Sequence, residues 1–135
     1  MKLKNNYRII IPILATILIV ILLGGWHMHK KEQEKEAILE KQKSRIELFY
    51  KYNYEGIKKI TYTDIHTIPT GTYVIEGYVN DDPELKFDAD VDPDTNFESS
   101  GATSDELDRL VKKEYRFKVK KVSKILEEQK EKQSH

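Results

Sequence analysis

From Ile9 to Trp26 the chain reads IIIPILATILIVILLGGW, an apolar run without a charge, bordered by Lys2, Lys4 and Arg8 on one side and by Lys30 and Lys31 on the other. As a helix rising roughly 1.5 Å per residue, the run reaches about 27 Å, close to the ~30 Å hydrocarbon core of a bilayer. The pattern then changes abruptly. Residues 27–37 are mostly polar, and KKEQEKE is polar on every side, which predicts a solvated stalk. Apolar positions return as a stripe at Leu39, Ile46, Phe49, Tyr50 and Asn53-Tyr54, at helical spacing. Lys30 to Tyr54 contains neither Gly nor Pro and is rich in good helix formers, so a helix is predicted there, with Gly56 as its stop.

Beyond Gly56 the period shortens to two. Lys58–Ile68 and Thr72–Asn80 are rich in Thr, Tyr, Ile and Val, and Pro69-Thr70-Gly71 between them has turn chemistry, so the pair predicts a β-hairpin. Tyr73, Ile75, Gly77 and Val79 share one face of the second strand, and Val74, Glu76 and Tyr78 the other. After a turn at Asp81-Asp82-Pro83, Leu85, Phe87, Ala89 and Val91 alternate with Lys86, Asp88, Asp90 and Asp92, the mark of a half-buried third strand. Asp92–Ser104 reads as loop, with Asn96–Ser99 available as a short fourth strand. Thr103 and Glu106 fit a capping box ahead of Leu107, Val111, Tyr115, Val119, Val122 and Leu126, which predicts one helix from about Ser104. A rival reading has a strand at 114–121, where Tyr115, Phe117 and Val119 alternate, and a short helix from Ser123. The expected organisation is a basic leader (1–8), a transmembrane signal anchor (9–26), a polar stalk (27–37), a small domain (38–126) and a charged, frayed tail (127–135). The fold class is α+β: a helix packed on an antiparallel sheet of three to four strands, with a C-terminal helix.

The end of the apolar run decides among three kinds of N-terminal segment. A cleaved signal needs small residues one and three positions before the cut, and Leu23 occupies the second of these for a cut at Trp26. A lipoprotein signal needs a Cys where Trp26 stands, and the chain has no Cys at all. An uncleaved anchor, with Trp26 at the lipid interface, fits best. The basic leader favours an inside N-terminus and an extracytoplasmic domain, although Lys30, Lys31, Lys35 and Lys41 offset the leader's charge. Formal net charge is zero, so no global field draws the chain to nucleic acid. Charge is nevertheless segregated. Asp81–Asp108 is acidic apart from Lys86, and Arg109–Lys124 is basic apart from Glu114, so mutual neutralisation of the two stretches is expected.

Candidate chemistry is sparse. The run Asp88-Ala89-Asp90-Val91-Asp92-Pro93-Asp94 invites calcium, but the binding-loop template requires Gly at its sixth position and Glu at its twelfth. Starting from Asp88 these are Pro93 and Ser99, and from Asp90 they are Thr95 and Gly101. His27-Met28-His29 could ligate a soft metal but lies at the membrane boundary. His66, with Asp64 two residues earlier on the same strand face, is the one domain histidine positioned for an orienting pair. No nucleophile elbow, phosphate loop, dinucleotide fingerprint or zinc spacing accompanies it. Phe49, Tyr50, Tyr52, Tyr54, Tyr62, Tyr73 and Tyr78 among lysines could stack on single-stranded nucleic acid, but core packing is the expected use. No catalytic residue, metal or cofactor is therefore expected.

The runs IELFYKYNYEGIKKITYT, PTGTYVIEGYVN and LKFDA resemble an uncharacterised domain-of-unknown-function family of small Firmicute envelope proteins, of Staphylococcus and Bacillus type. The resemblance covers roughly Ile46–Ala89 and rests on pattern, not on catalytic residues. It implies envelope localisation. Many members carry a lipidated Cys that this chain replaces with Trp26. The expected function is a single-pass, membrane-anchored, non-enzymatic module that binds an envelope protein partner and no nucleic acid. The alternatives are a metal-dependent or hydrolytic enzyme using His66 and the Asp88–Asp94 face, and an accessory subunit of a membrane complex. Gly24 and Gly25 are adjacent rather than four apart, so the small-residue motif that would favour a helix–helix contact is missing.

Overall fold

A computed structural model describes residues 2–134, with side-chain surroundings from Asn6 onward. The chain forms helix α1 (Lys2–Asn53), strands β1 (Ile60–Thr67), β2 (Tyr73–Val79), β3 (Lys86–Val91) and β4 (Ser100–Thr103), the one-turn helix α2 (Asp105–Asp108), a 3₁₀ turn (Lys113–Tyr115) and helix α3 (Val122–Gln133). Two compact units result, residues 1–37 and residues 38–135.

In the first unit the apolar run is wholly helical, and its large side chains are exposed along its length. Pro12 sits inside this helix, where it leaves the carbonyl of Arg8 without its usual amide partner, and Thr16 Oγ1 donates back to the Pro12 carbonyl at 2.8 Å. It is one helix, long and apolar enough to cross a membrane.

The second unit is α+β. Its strands pair as an antiparallel meander in the order β1-β2-β3-β4. The end of α1 packs on one face of this sheet: Ile46, Phe49, Tyr50 and Tyr54 meet Ile75, Val79, Phe87, Ala89 and Val91 in one buried cluster. Aromatic rings set the contact, with Tyr50 4.7 Å from Phe87 and Phe49 edge-on to Phe97 at 5.5 Å. The hairpin turn closes through Ile68 and Thr72, with Gly71 in the left-handed region (φ 89°) that a three-residue loop needs. In β1 the pairing slips between Tyr62 and Asp64. The bulge lets Ile60 and Tyr62 on one side of it, and Ile65 on the other, all pack toward the core.

Three expectations are corrected. The fourth strand is Ser100–Thr103, not Asn96–Ser99. The Phe97 amide donates to Gln42 Oε1 at 2.9 Å and its carbonyl accepts from Arg45 Nε at 2.9 Å, so that backbone is not free to pair in a sheet. The single helix from Ser104 does not form. Ser104, not Thr103, caps α2 by accepting from the Leu107 amide, and α2 stops after one turn. Beyond it the chain makes only local turns and bonds to the end of α1: the Glu55 amide to the Leu110 carbonyl (2.7 Å), and the Lys112 amide to the Asn53 carbonyl (2.9 Å). The buried Asn53 side chain takes both the amide and the carbonyl of Lys120, at 2.7 and 3.0 Å. A separate helix does begin near Ser123, as the rival reading has it, but 114–121 is no strand: the 3₁₀ turn takes 114 and 115, and a bend at 116–118 leads into irregular chain at 119–121. Finally, most of the tail expected to fray belongs to α3, which runs to Gln133.

Candidate functional site

Two surfaces of the second unit concentrate chemistry. The first is the sheet face opposite α1. The β1 bulge sets Asp64 directly across from Glu76, and Glu76 is across from Asp88, so three carboxylates line one rung of three adjacent strands. His66, Val74 and Asp90 make the next rung. His66 Nδ1 lies 3.0 Å from Asp64 Oδ2, the orienting pair that strand alternation predicts. One ligand atom from each of Asp64, His66 and Glu76 lies within 4.8 Å of the others, a spacing that one cation could bridge. An imidazole with two carboxylates suits a borderline divalent ion such as zinc or manganese. Like charges set directly opposite each other repel, so this face carries an electrostatic cost that a bound cation would offset. Glu76 is the member that sequence reading missed. The signal was present in the spacing of Ile60, Tyr62 and Ile65, whose phase shift marks the bulge that brings Asp64 onto Glu76.

The Asp88–Asp94 run does not converge as a binding loop. Asp92 Oδ1 accepts from Thr72 Oγ1 at 2.6 Å, and the Asp90 carboxylate packs so closely over Gly101 that a Cβ there would lie 2.6 Å from it. His29 is engaged along α1 by Gln33 at 3.1 Å.

The second surface is built by Lys112–Lys124. The 3₁₀ turn is held by Tyr115, whose ring lies 5.5 Å from that of Tyr52, and the other end by Asn53 through the Lys120 backbone. Between these anchors the chain presents Phe117, 98% exposed and flanked by Arg116 and Lys118. Lys113, Arg116, Lys118, Lys121 and Lys124 are all exposed here. Lys120 is engaged instead, 2.8 Å from the Glu128 carboxylate and above the rings of Tyr52 and Tyr115. The hydrogen bond to Glu128 raises the Lys120 pKa, and the same bond lowers that of Glu128. The expected neutralisation of this stretch by Asp81–Asp108 does not occur through ion pairs among the described residues: Glu98 is taken by Arg45 and Asp81 by Lys59. Phe117 was missed because its alternation with Tyr115 and Val119 read as burial; its two basic neighbours were the available sign of exposure.

Fold and surfaces together define a small α+β domain that follows a helix of membrane-spanning length. The chain belongs to the family described as protein of unknown function (DUF1433), whose model matches residues 38–127. It is also similar to a solved structure, the folded 79-residue fragment of Lin0334 from Listeria innocua. That likeness has 29% identity and a TM-score of 0.54, and covers 68% of this chain and 94% of the fragment. Comparison with curated proteins finds no match.

Proposed function

We propose that this protein is a single-pass membrane protein of the cell envelope that displays a non-enzymatic interaction domain outside the cytoplasm. The observation that carries the reading is an exposed apolar helix followed by a folded domain whose most exposed large apolar side chain, Phe117, stands on a basic shelf. A ring held in water is a cost to the free protein that a partner would remove. The basic leader ahead of the apolar run supports the outward orientation. Protease added to intact protoplasts should remove the domain while leaving the membrane-embedded segment. Full protection until the membrane is opened would overturn the orientation, and release of the chain from membranes by carbonate washing would overturn the anchor.

A second reading, a metal-dependent or hydrolytic envelope enzyme, is favoured by the Asp64–His66–Glu76 group. Calorimetric titration of the full chain with zinc would test it. Saturable one-to-one binding lost in His66→Ala would support the site, and no heat beyond dilution would remove its basis.

A further inference from the structure

We infer that the Phe117 shelf docks on an anionic lipid surface, with the ring entering the boundary between headgroups and acyl chains and the surrounding cations facing the phosphates. This rests on the reading of the domain as an interaction module and names the partner of that surface.

Composition and geometry agree on the partner. Phe117 is 98% exposed, and the side chains beside it are cationic. Lys113, Arg116, Lys118, Lys121 and Lys124 are exposed around it, with Glu114 the one acid among residues 113–124. A groove lined in part by Tyr115, Phe117 and Val119 continues the apolar tip between the lysines. This is the distribution of an interfacial anchor, an apolar point ringed by bases. A stacking platform for nucleic acid would instead offer successive free rings, and here Tyr115 is already packed against Tyr52. Lys120, consumed by Glu128, lies outside this set, and Lys124, exposed like the rest, also reaches Glu127 at 3.7 Å.

The apolar run supplies the occasion. Carried on the same chain as a helix long and apolar enough to cross a membrane, a lipid-binding shelf meets a high effective concentration of headgroups, so individually weak contacts suffice. Attraction of each base to an anionic surface should change the docked-to-undocked ratio about fivefold, and salt should screen it.

The chain contains no Cys, so Lys118→Cys creates a unique attachment point for an environment-sensitive fluorophore beside Phe117. The full-length labelled protein would be reconstituted in vesicles containing phosphatidylglycerol and in vesicles of phosphatidylcholine alone. The expected result is a blue-shifted, brighter emission in the anionic vesicles only. It should be lost with Phe117→Ser, reversed by high salt, and weakened about fivefold in docked-to-undocked ratio by Arg116→Gln. A label at Thr70→Cys, on the β1–β2 turn, should stay in water throughout. Water-like emission in both lipids, an equal shift at Thr70, or indifference to Phe117→Ser would each overturn the proposal. A photo-crosslinker at position 117 in intact cells separates this outcome from the broader reading. Capture of lipid supports docking, whereas capture of a protein overturns the lipid assignment and leaves the interaction module standing.

Discussion

The Tyr62 hydroxyl is buried without a hydrogen-bond partner among the described residues, and burial pushes its pKa up. An unpaired buried hydroxyl bears its desolvation cost without return, so Tyr62→Phe should leave stability unchanged or raise it by up to about 1 kcal/mol. Gly77 is the opposite case. A Cβ at that position would lie 2.3 Å from the Thr61 carbonyl oxygen and 2.8 Å from the Phe87 ring, and a backbone oxygen paired in the sheet cannot swing away. Gly77→Ala should therefore cost about 1–3 kcal/mol by overpacking, read as a lower denaturation midpoint with an unchanged slope. The two residues differ in legibility. Gly77 falls on the core face by simple alternation, but nothing in the sequence marks the Thr61 carbonyl and the Phe87 ring as the reason that only glycine fits.

Helix α3 lacks a side-chain cap of its own, since Lys121 stands at the N-cap position. Glu98, from the loop before β4, takes that role: its Oε2 accepts from the Ser123 amide at 3.2 Å and from Ser123 Oγ at 2.7 Å. Its other oxygen pairs with Arg45 of α1, and its carbonyl accepts from the Val122 amide at 3.0 Å. One carboxylate thus ties α1 to the start of α3. Glu98→Ala should cost about 0.5–2 kcal/mol, in the range of a lost cap. Amide exchange should accelerate first in α3, and faster exchange confined to β1 and β2 would contradict this account. The Lys120–Glu128 bond acts on the same helix. Because that bond lowers the Glu128 pKa, its contribution is present above the ordinary carboxylate pKa and is lost as pH falls through the lowered one.

For the domain as a whole, buried tyrosines set an alkaline limit. Tyr54 is pushed up to about 12 from 10.0 by burial and then by the Asp108 charge, and burial raises Tyr50 well above its ordinary value. A group raised in this way contributes stability that is complete below the unfolded pKa and declines as pH climbs toward the folded one. Unfolding should therefore accompany tyrosinate absorbance between about pH 10 and 12. The fragment from Ile38 onward should fold without membrane or metal, as a similar domain is folded in a 79-residue fragment. In that fragment Phe49→Ala should cost about 3–5 kcal/mol, a large part of the ~5–15 kcal/mol that holds a domain together. Asp90→Asn should change stability by about 0.5 kcal/mol or less, and added calcium should not raise the melting temperature. A calcium-dependent stabilisation abolished by Asp90→Asn would restore a metal role to that carboxylate.

Local pattern was enough to determine the apolar run, the Ile46–Phe49–Tyr50–Tyr54 stripe, the hairpin and the alternation of β3. Each of these is a periodicity written in neighbouring residues, and solvent or lipid reads it without help from the rest of the chain. The end of the domain was decided otherwise. The apolar spacing from Leu107 to Leu126 satisfies a helix, yet Asn53 and the carbonyl and amide groups at the end of α1 bind Leu110, Lys112 and Lys120 and replace the bonds that helix would have made. Gln42 and Arg45 likewise hold Phe97 out of a strand. The meeting of Glu76 with Asp64 and His66 depends on strand register, and the exposure of Phe117 depends on where Asn53 pins the chain. Both join residues far apart in sequence, and a contact of that kind has no local period to announce it.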